Sequence, residues 1–119
     1  MMADRIPERL FHGTLDALIL QSLAGGPRHG FAIASWLEET SAAALNIADA
    51  ALYTALHKME ERGWLSAEWG MSPKKKRAKF YRLTALGRRQ LRSRVSEWSA
   101  YVEAVDRILR PARLASESA

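Results

Sequence analysis

Six apolar residues towards the C-terminal end, Leu91, Val95, Trp98, Val102, Val105 and Leu109, follow one another at spacings of four, three, four, three and four. That alternation is the heptad pattern of a helix packed along a partner helix, a narrower requirement than an amphipathic face. At about 1.5 Å of rise per residue the stripe is ~27 Å long. A chain of 119 residues fits one compact domain, which needs no apolar stripe of that length to cover its core. The simplest partner is the same helix of a second copy. Thr84 is placed to cap this helix and Pro111 to end it, so the spacing predicts a helix from there to Leu109.

Upstream, the pattern changes period. Apolar positions at 11, 15, 18, 19 and 23 predict a first helix over Leu10 to Leu23, stopped by Gly25-Gly26-Pro27. A second helix is expected from His29 or Gly30 to Thr40, with Phe31, Ile33, Ala34 and Leu37 facing inward. After a loop from Ser41 to Ile47, Asp49 is positioned to cap a third helix with Leu52, Ala55, Leu56 and Met59 as its buried stripe and Gly63 at its end. Residues 64–69 alternate like a strand, 70–78 read as a loop, and 79–83 as the return strand. The expectation is a mainly α fold with a small two-stranded β-wing, a winged helix-turn-helix plus a long C-terminal helix. The boundaries drawn are a flexible segment 1–9, a winged helix-turn-helix domain 10–83, a dimerisation helix 84–110 and a flexible tail 111–119.

Charge is segregated along this plan. From Trp69 to Ser96 there are ten basic residues and no acidic one, while the remainder holds eight basic and thirteen acidic residues. A +10 block in a chain of net +5 attracts a polyanion, and nucleic acid is the first candidate. The absence of cysteine excludes disulfides and thiolate metal sites. His12 and His57 have no third ligand at useful spacing, and neither a phosphate loop nor a nucleophile–base–orienter set is present, so no metal, cofactor or catalytic residue is expected. No apolar run approaches the ~20 residues of a membrane span, and the start has no secretory apolar core, so the chain reads as a cytoplasmic protein.

Candidate contacts to DNA lie in three places. On the third helix, the face opposite the buried stripe shows Tyr53, Thr54, His57 and Lys58, all able to bond phosphates or base edges, with small Ala50 and Ala51 beside them. The read-out of this face is either base contact or an ordinary solvated helix surface. Lys74, Lys75, Lys76, Arg77 and Lys79 form a basic run at the expected wing tip, suited to a phosphate backbone. Arg28 and His29 stand at the start of the second helix, where free amides favour phosphate, although His29 can equally cap or pack.

Five stretches in order resemble the PadR family of bacterial transcriptional regulators. They are Gly13-Thr14-Leu15-Asp16-Ala17-Leu18-Ile19-Leu20, Gly26-Pro27-Arg28-His29-Gly30-Phe31-Ala32-Ile33, Ala51-Leu52-Tyr53-Thr54-Ala55-Leu56-His57-Lys58-Met59-Glu60, Gly63-Trp64-Leu65, and Ala78-Lys79-Phe80-Tyr81-Arg82-Leu83-Thr84-Ala85-Leu86-Gly87. The resemblance spans roughly residues 10 to 109 and implies a dimeric repressor with inverted half-sites in its operator. It is similar to the small subtype with one C-terminal helix. It implies DNA contacts at Tyr53, Thr54, His57, Lys58 and the wing with Lys79. Ala51 and Thr54 stand where family members often carry Ser and Pro, which bears on the operator sequence rather than the binding mode; Phe80-Tyr81 stands where a Tyr pair is common, which keeps the packing and loses one hydroxyl.

The resemblance also implies a small phenolic or planar hydrophobic effector, bound between N-terminal and C-terminal helices of a dimer. Trp98 is an unusually bulky seam residue; it either fills the dimer core or, with its mate and with Phe11 and Leu15 from the first helix, sandwiches a flat ligand. The expected dimer interface is thus Phe11, Leu15, Leu91, Val95, Trp98, Val102, Val105 and Leu109. The alternative to a DNA regulator is a winged-helix module that binds RNA or a protein partner without effector control; the paired seam favours DNA, because paired half-sites are a DNA strategy.

Overall fold

The computed structural model describes residues 5–110. Helix α1 (Glu8–Phe11) passes through a 3-10 turn (His12–Thr14) into α2 (Leu15–Ser22). Then come β1 (Arg28–His29), α3 (Gly30–Thr40), α4 (Asp49–Glu61), β2 (Leu65–Met71), β3 (Arg77–Leu83) and α5 (Ala85–Leu109). The expected order of helices, wing and long terminal helix is present, and α5 ends at the expected residue. The tail 111–119 and the first four residues of the N-terminal segment lie outside the described residues.

Several local expectations are corrected. The first helix is broken at His12–Thr14, where the Thr14 hydroxyl donates to the Phe11 carbonyl at 3.0 Å and competes with regular helical bonding. Asp49 is the first helical residue, not the cap; Ala48 holds the cap position without a side-chain bond. Phe31 points outward and is 67% exposed, while Ile33 and Leu37 of the same helix are buried. The wing strands run further than expected, leaving residues 72–76 as the turn. The sheet has three strands, in the order β1-β3-β2 and antiparallel throughout, because Arg28 and His29 pair with Tyr81 and Phe80.

The core sits between α2, α3, α4 and the inner half of the sheet. Ile19, Leu20, Leu23, Ile33, Leu52, Leu56 and Met59 are all but sealed from solvent. Each such side chain contributes about 1.5–3 kcal/mol relative to exposure. The i, i+3, i+4, i+7 spacing of Leu52, Ala55, Leu56 and Met59 turns one face of α4 inward and leaves the other free. At its end the Trp64 amide reaches back to the Met59 carbonyl (2.9 Å) and the Gly63 amide to that of Glu60 (3.0 Å), with Gly63 at φ +78°. This Schellman closure aims the chain directly into β2.

The start of α5 is anchored on the same corner. The Thr84 oxygen accepts the Gly87 amide (3.0 Å), and its hydroxyl hydrogen faces the carbonyls of Gly63 (2.6 Å) and Trp64 (3.0 Å). Gly87 is buried, and a Cβ there would overlap the Trp64 carbonyl oxygen, with its carbon only 3.0 Å away. The helix can approach this closely only because position 87 has no side chain. Further along, the Arg94 guanidinium lies 4.8 Å from the centre of the Trp64 ring and 3.9 Å from an Asp16 oxygen, joining α5 to α2.

A second tie holds the wing to α4. Lys79 Nζ donates to Glu60 Oε1 at 2.8 Å, both side chains being one-third exposed. The bond to Glu60 holds the Lys79 ammonium above its ordinary pKa of 10.5, and burial pushes the Tyr81 hydroxyl above its ordinary 10.0. Both shifts favour the protonated form in the folded state. Their contributions are complete below about pH 10 and are lost as pH rises through the folded values.

Two outcomes follow from this frame. Gly87→Ala is expected to cost about 1–3 kcal/mol in urea unfolding through the forced overlap with Trp64, whereas the exposed neighbour change Arg88→Ala stays within ~0.5 kcal/mol. Unfolding free energy is expected to be level from pH 8 to about 10 and to fall above that. Glu60→Gln is expected to make the fall shallower, because it removes the carboxylate whose bond is the largest cause of the raised Lys79 pKa.

Candidate nucleic-acid interface

Packing of α4 on α2 and α3 leaves Ala50, Tyr53, Thr54, His57 and Lys58 exposed on one outer face, with Ala51 half-buried beside them. His57 Nε2 lies 2.7 Å from Glu61 Oε1, an i, i+4 pair that draws the imidazole towards the C-terminal end of the helix. Tyr53 leans the other way, onto the start of α3. A Cβ at Gly30 would strike the Tyr53 hydroxyl and lie 2.7 Å from ring carbons, so a bare backbone at residue 30 is what lets the tyrosine dock there. This contact fixes the crossing of α3 and α4, the two helices of the helix-turn-helix.

At the start of α3, His29 acts as its cap: Nδ1 accepts the Ala32 amide at 3.2 Å. The imidazole also meets the edge of Phe80 (5.3 Å between centroids) and stacks at 6.5 Å on Phe31. Of the two readings of His29, capping and packing is the one this geometry supports. Arg28 Nε donates to the Ser22 carbonyl at 2.8 Å, and its guanidinium lies 5.7 Å from the Trp36 ring centre. Arg28 is thereby partly committed to holding the α2–α3 connection.

The wing turn is built by Ser72. Its amide and carbonyl bond to the Lys76 carbonyl (2.8 Å) and the Lys75 amide (2.9 Å), and its hydroxyl accepts the Lys76 amide (3.2 Å). Lys75 takes a left-handed conformation at φ 59°. Lys74, Lys75, Lys76 and Arg77 are consequently exposed on the tip. The register pairs Trp69 with Lys79 and Met71 with Arg77, so these four share one face of the hairpin, the face that also carries Tyr81. Arg77 lies 4.6 Å from the ring centre of Trp69, Lys74 5.7 Å from that of Phe31, and Lys79 5.5 Å from that of Tyr81.

These elements enclose an open cleft of about 810 Å³ between the start of α3, Tyr53 and the wing. Of the sequence-predicted DNA contacts, Arg28, His29, Tyr53, Lys74, Lys76, Arg77 and Lys79 line it. Ala51, Thr54, His57, Lys58 and Lys75 do not; Thr54, His57 and Lys58 lie on the free helix face, Ala51 is partly packed against the core, and Lys75 is on the tip. Lys79 differs from the other wing cations in being neutralised by Glu60. Sequence reasoning missed Phe31, Trp36 and Trp69 as lining residues. The signal for Trp69 was present: an aromatic at the outer end of a strand that outlasts its core. Among the described residues no cluster of His, Cys, Asp or Glu could hold a metal ion, and no helix is long and apolar enough to cross a membrane.

The seam residues stand apart from this surface. Leu91 packs against the core, Val105 is half-buried, and Val95, Trp98, Val102 and Leu109 are exposed along α5. Phe11 and Leu15, expected beside Trp98 at a shared interface, are 5% and 7% exposed within the chain's own core, because the α1–α2 bend turns both inward.

The geometry has close counterparts. The Transcriptional regulator PadR-like family matches residues 19–93. A transcriptional regulator from Clostridium thermocellum superposes with a TM-score of 0.79 at 22% identity, over 86% of this chain and 99% of that one, a likeness of fold. A PadR family transcriptional regulator from Eggerthella lenta superposes with a TM-score of 0.73 at 30% identity, over 86% and 87%. An uncharacterized protein from Lysinibacillus sphaericus is 28% identical over 97 residues, 82% of this chain and 89% of its own length. With a matching family model over most of the chain, and a recognition helix and basic wing in the matching fold, this protein belongs to the PadR-like family of transcriptional regulators and is a DNA-binding regulator of the winged-helix kind.

Proposed function

We propose that the protein is a cytoplasmic, sequence-specific repressor that binds inverted half-sites of duplex DNA as a homodimer and is released by a small planar hydrophobic or phenolic effector. The observation that carries this reading is the outer face of α5. Val95, Trp98 and Val102 are 43%, 48% and 40% exposed at heptad spacing, on a 25-residue helix whose core contacts come from its first turns. Such a stripe in water is unfavourable unless a second helix covers it. A two-fold pair of these helices places two recognition helices on one duplex and calls for an operator of matching symmetry.

In this reading residues 10–83 bind DNA and 84–110 form the dimer. Tyr53, Thr54, His57 and Lys58 read the major groove near the start of α4, with Ala51 allowing close approach. Lys74, Lys75, Lys76 and Arg77 hold a neighbouring phosphate backbone, while Arg28, His29 and Lys79 position the elements that bind. The effector site centres on Trp98, which borders a shallow groove of about 400 Å³ on α5 with Ser99, Val102, Glu103, Asp106 and Arg110. Phe11 and Leu15, buried in the chain's own core, are not part of its lining, and in this reading the partner supplies the other wall. An inducer acts only if it binds the DNA-incompetent arrangement of the dimer more tightly than the competent one.

Footprinting on the region upstream of the protein's own gene tests the reading: protection of an inverted repeat is expected, and binding that random duplex removes equally well would sink it. Val102→Asp is expected to yield a monomer by sedimentation and to weaken operator binding by ~100-fold or more, since the second half-site contact becomes bimolecular. Trp98→Ala separates its two roles: a dimer and operator binding that survive while release by aromatic effectors is lost mark it as the effector site, and loss of the dimer by sedimentation marks it as dimer core. Lys75→Ala is expected to lower the slope of log affinity against log salt by about one.

A further inference from the structure

We propose that Phe31 and Trp69 are themselves DNA-contacting residues, two rings that supply the salt-independent part of the grip between the α3 start and the wing; this rests on the DNA-binding reading above. Both are large apolar side chains left 67% and 59% exposed, and both line the cleft between the wing and the helix-turn-helix. Exposed rings in a cationic cleft are an unfavourable choice for a surface that meets only water.

Their neighbours separate the cations of the cleft into two kinds. Lys79 is paired with a carboxylate and has little charge to offer. Lys74 and Arg77 instead rest near ring faces, at 5.7 Å from Phe31 and 4.6 Å from Trp69. A ring face orients a cation without neutralising it, so the full charge remains for a phosphate while the ring edge stays open. The chemistry that fits both halves at once is a nucleotide strand, with phosphate on the cations and sugar or base edge on the rings. Phe31 sits one residue inside the start of α3, and Trp69 lies opposite Lys79 on the wing face that carries Arg77, so a strand crossing the cleft meets both.

Anisotropy titrations of a labelled duplex from upstream of the gene, across a salt series, test this. Phe31→Ala and Trp69→Ala are each expected to weaken binding about fivefold to tenfold at every salt concentration, with the salt slope unchanged. Lys74→Ala is expected to lower that slope by about one. Trp69→Phe, which keeps a ring, is expected to recover most of the loss, and unchanged melting temperatures to exclude a folding effect. Aromatic variants that bind like wild type overturn the inference. So does a slope lowered as in Lys74→Ala, which would make the rings mere supports for their cations. A wild-type chain without salt-dependent duplex binding removes the DNA reading as well, whereas wild-type binding with unaffected aromatic variants removes this inference alone.

Discussion

The corner at Trp64 holds the molecule together. Its amide closes α4, its carbonyl receives the Thr84 amide (3.1 Å) and hydroxyl, and that carbonyl presses on the bare backbone of Gly87. Its ring takes the guanidinium of Arg62 at 5.3 Å and that of Arg94 at 4.8 Å. One 8%-exposed residue therefore touches the end of α4, the root of the wing and the first turns of α5. Any rotation of α5 relative to the winged domain must repack this corner, where close approach leaves little room for intermediate positions.

On the binding surface, electrostatics is graded by what each cation rests on. Glu60 fixes Lys79 and spends its charge inside the protein, which suits a structural tie. Aromatic rings hold Lys74 and Arg77 in place with their charge intact. Lys75 and Lys76 stand free on a turn that Ser72 closes with three hydrogen bonds. The basic block visible in the sequence thus resolves into one cation tied to a carboxylate, two resting near rings, and two on the exposed turn.

Much of this was legible from periodicity. The α4 stripe, the end of that helix at Gly63, the Thr84 cap and the span of α5 depend on interactions within about four residues, which spacing reports directly. The parts that were not legible are those made across the chain. A two-residue strand at Arg28–His29 is too short to leave a pattern and exists because Phe80 and Tyr81 stand ready to pair with it. Glu60 and Lys79 are nineteen residues apart, and nothing local marks them as partners. Phe31 reads as inward by its apolar character, yet at 3.6 residues per turn it stands about 160° round α3 from Ile33 and about 120° from Leu37, so it faces out beside the wing. For Trp69, alternation marked a strand, but not that this strand runs past the core into solvent.

The small strand β1 has a mechanical meaning. It welds the first turn of α3 to the middle of β3, so the wing cannot swing independently of the helix-turn-helix, and the Glu60–Lys79 bond blocks the same motion from the other side. Each winged unit then behaves as a stiff calliper whose two jaws keep a constant gap. In the proposed dimer, the remaining adjustable dimension would be the distance and twist between callipers, set by the two long helices. An effector acting there would change which spacing of half-sites is tolerated, and would leave unchanged the bases that each half recognises.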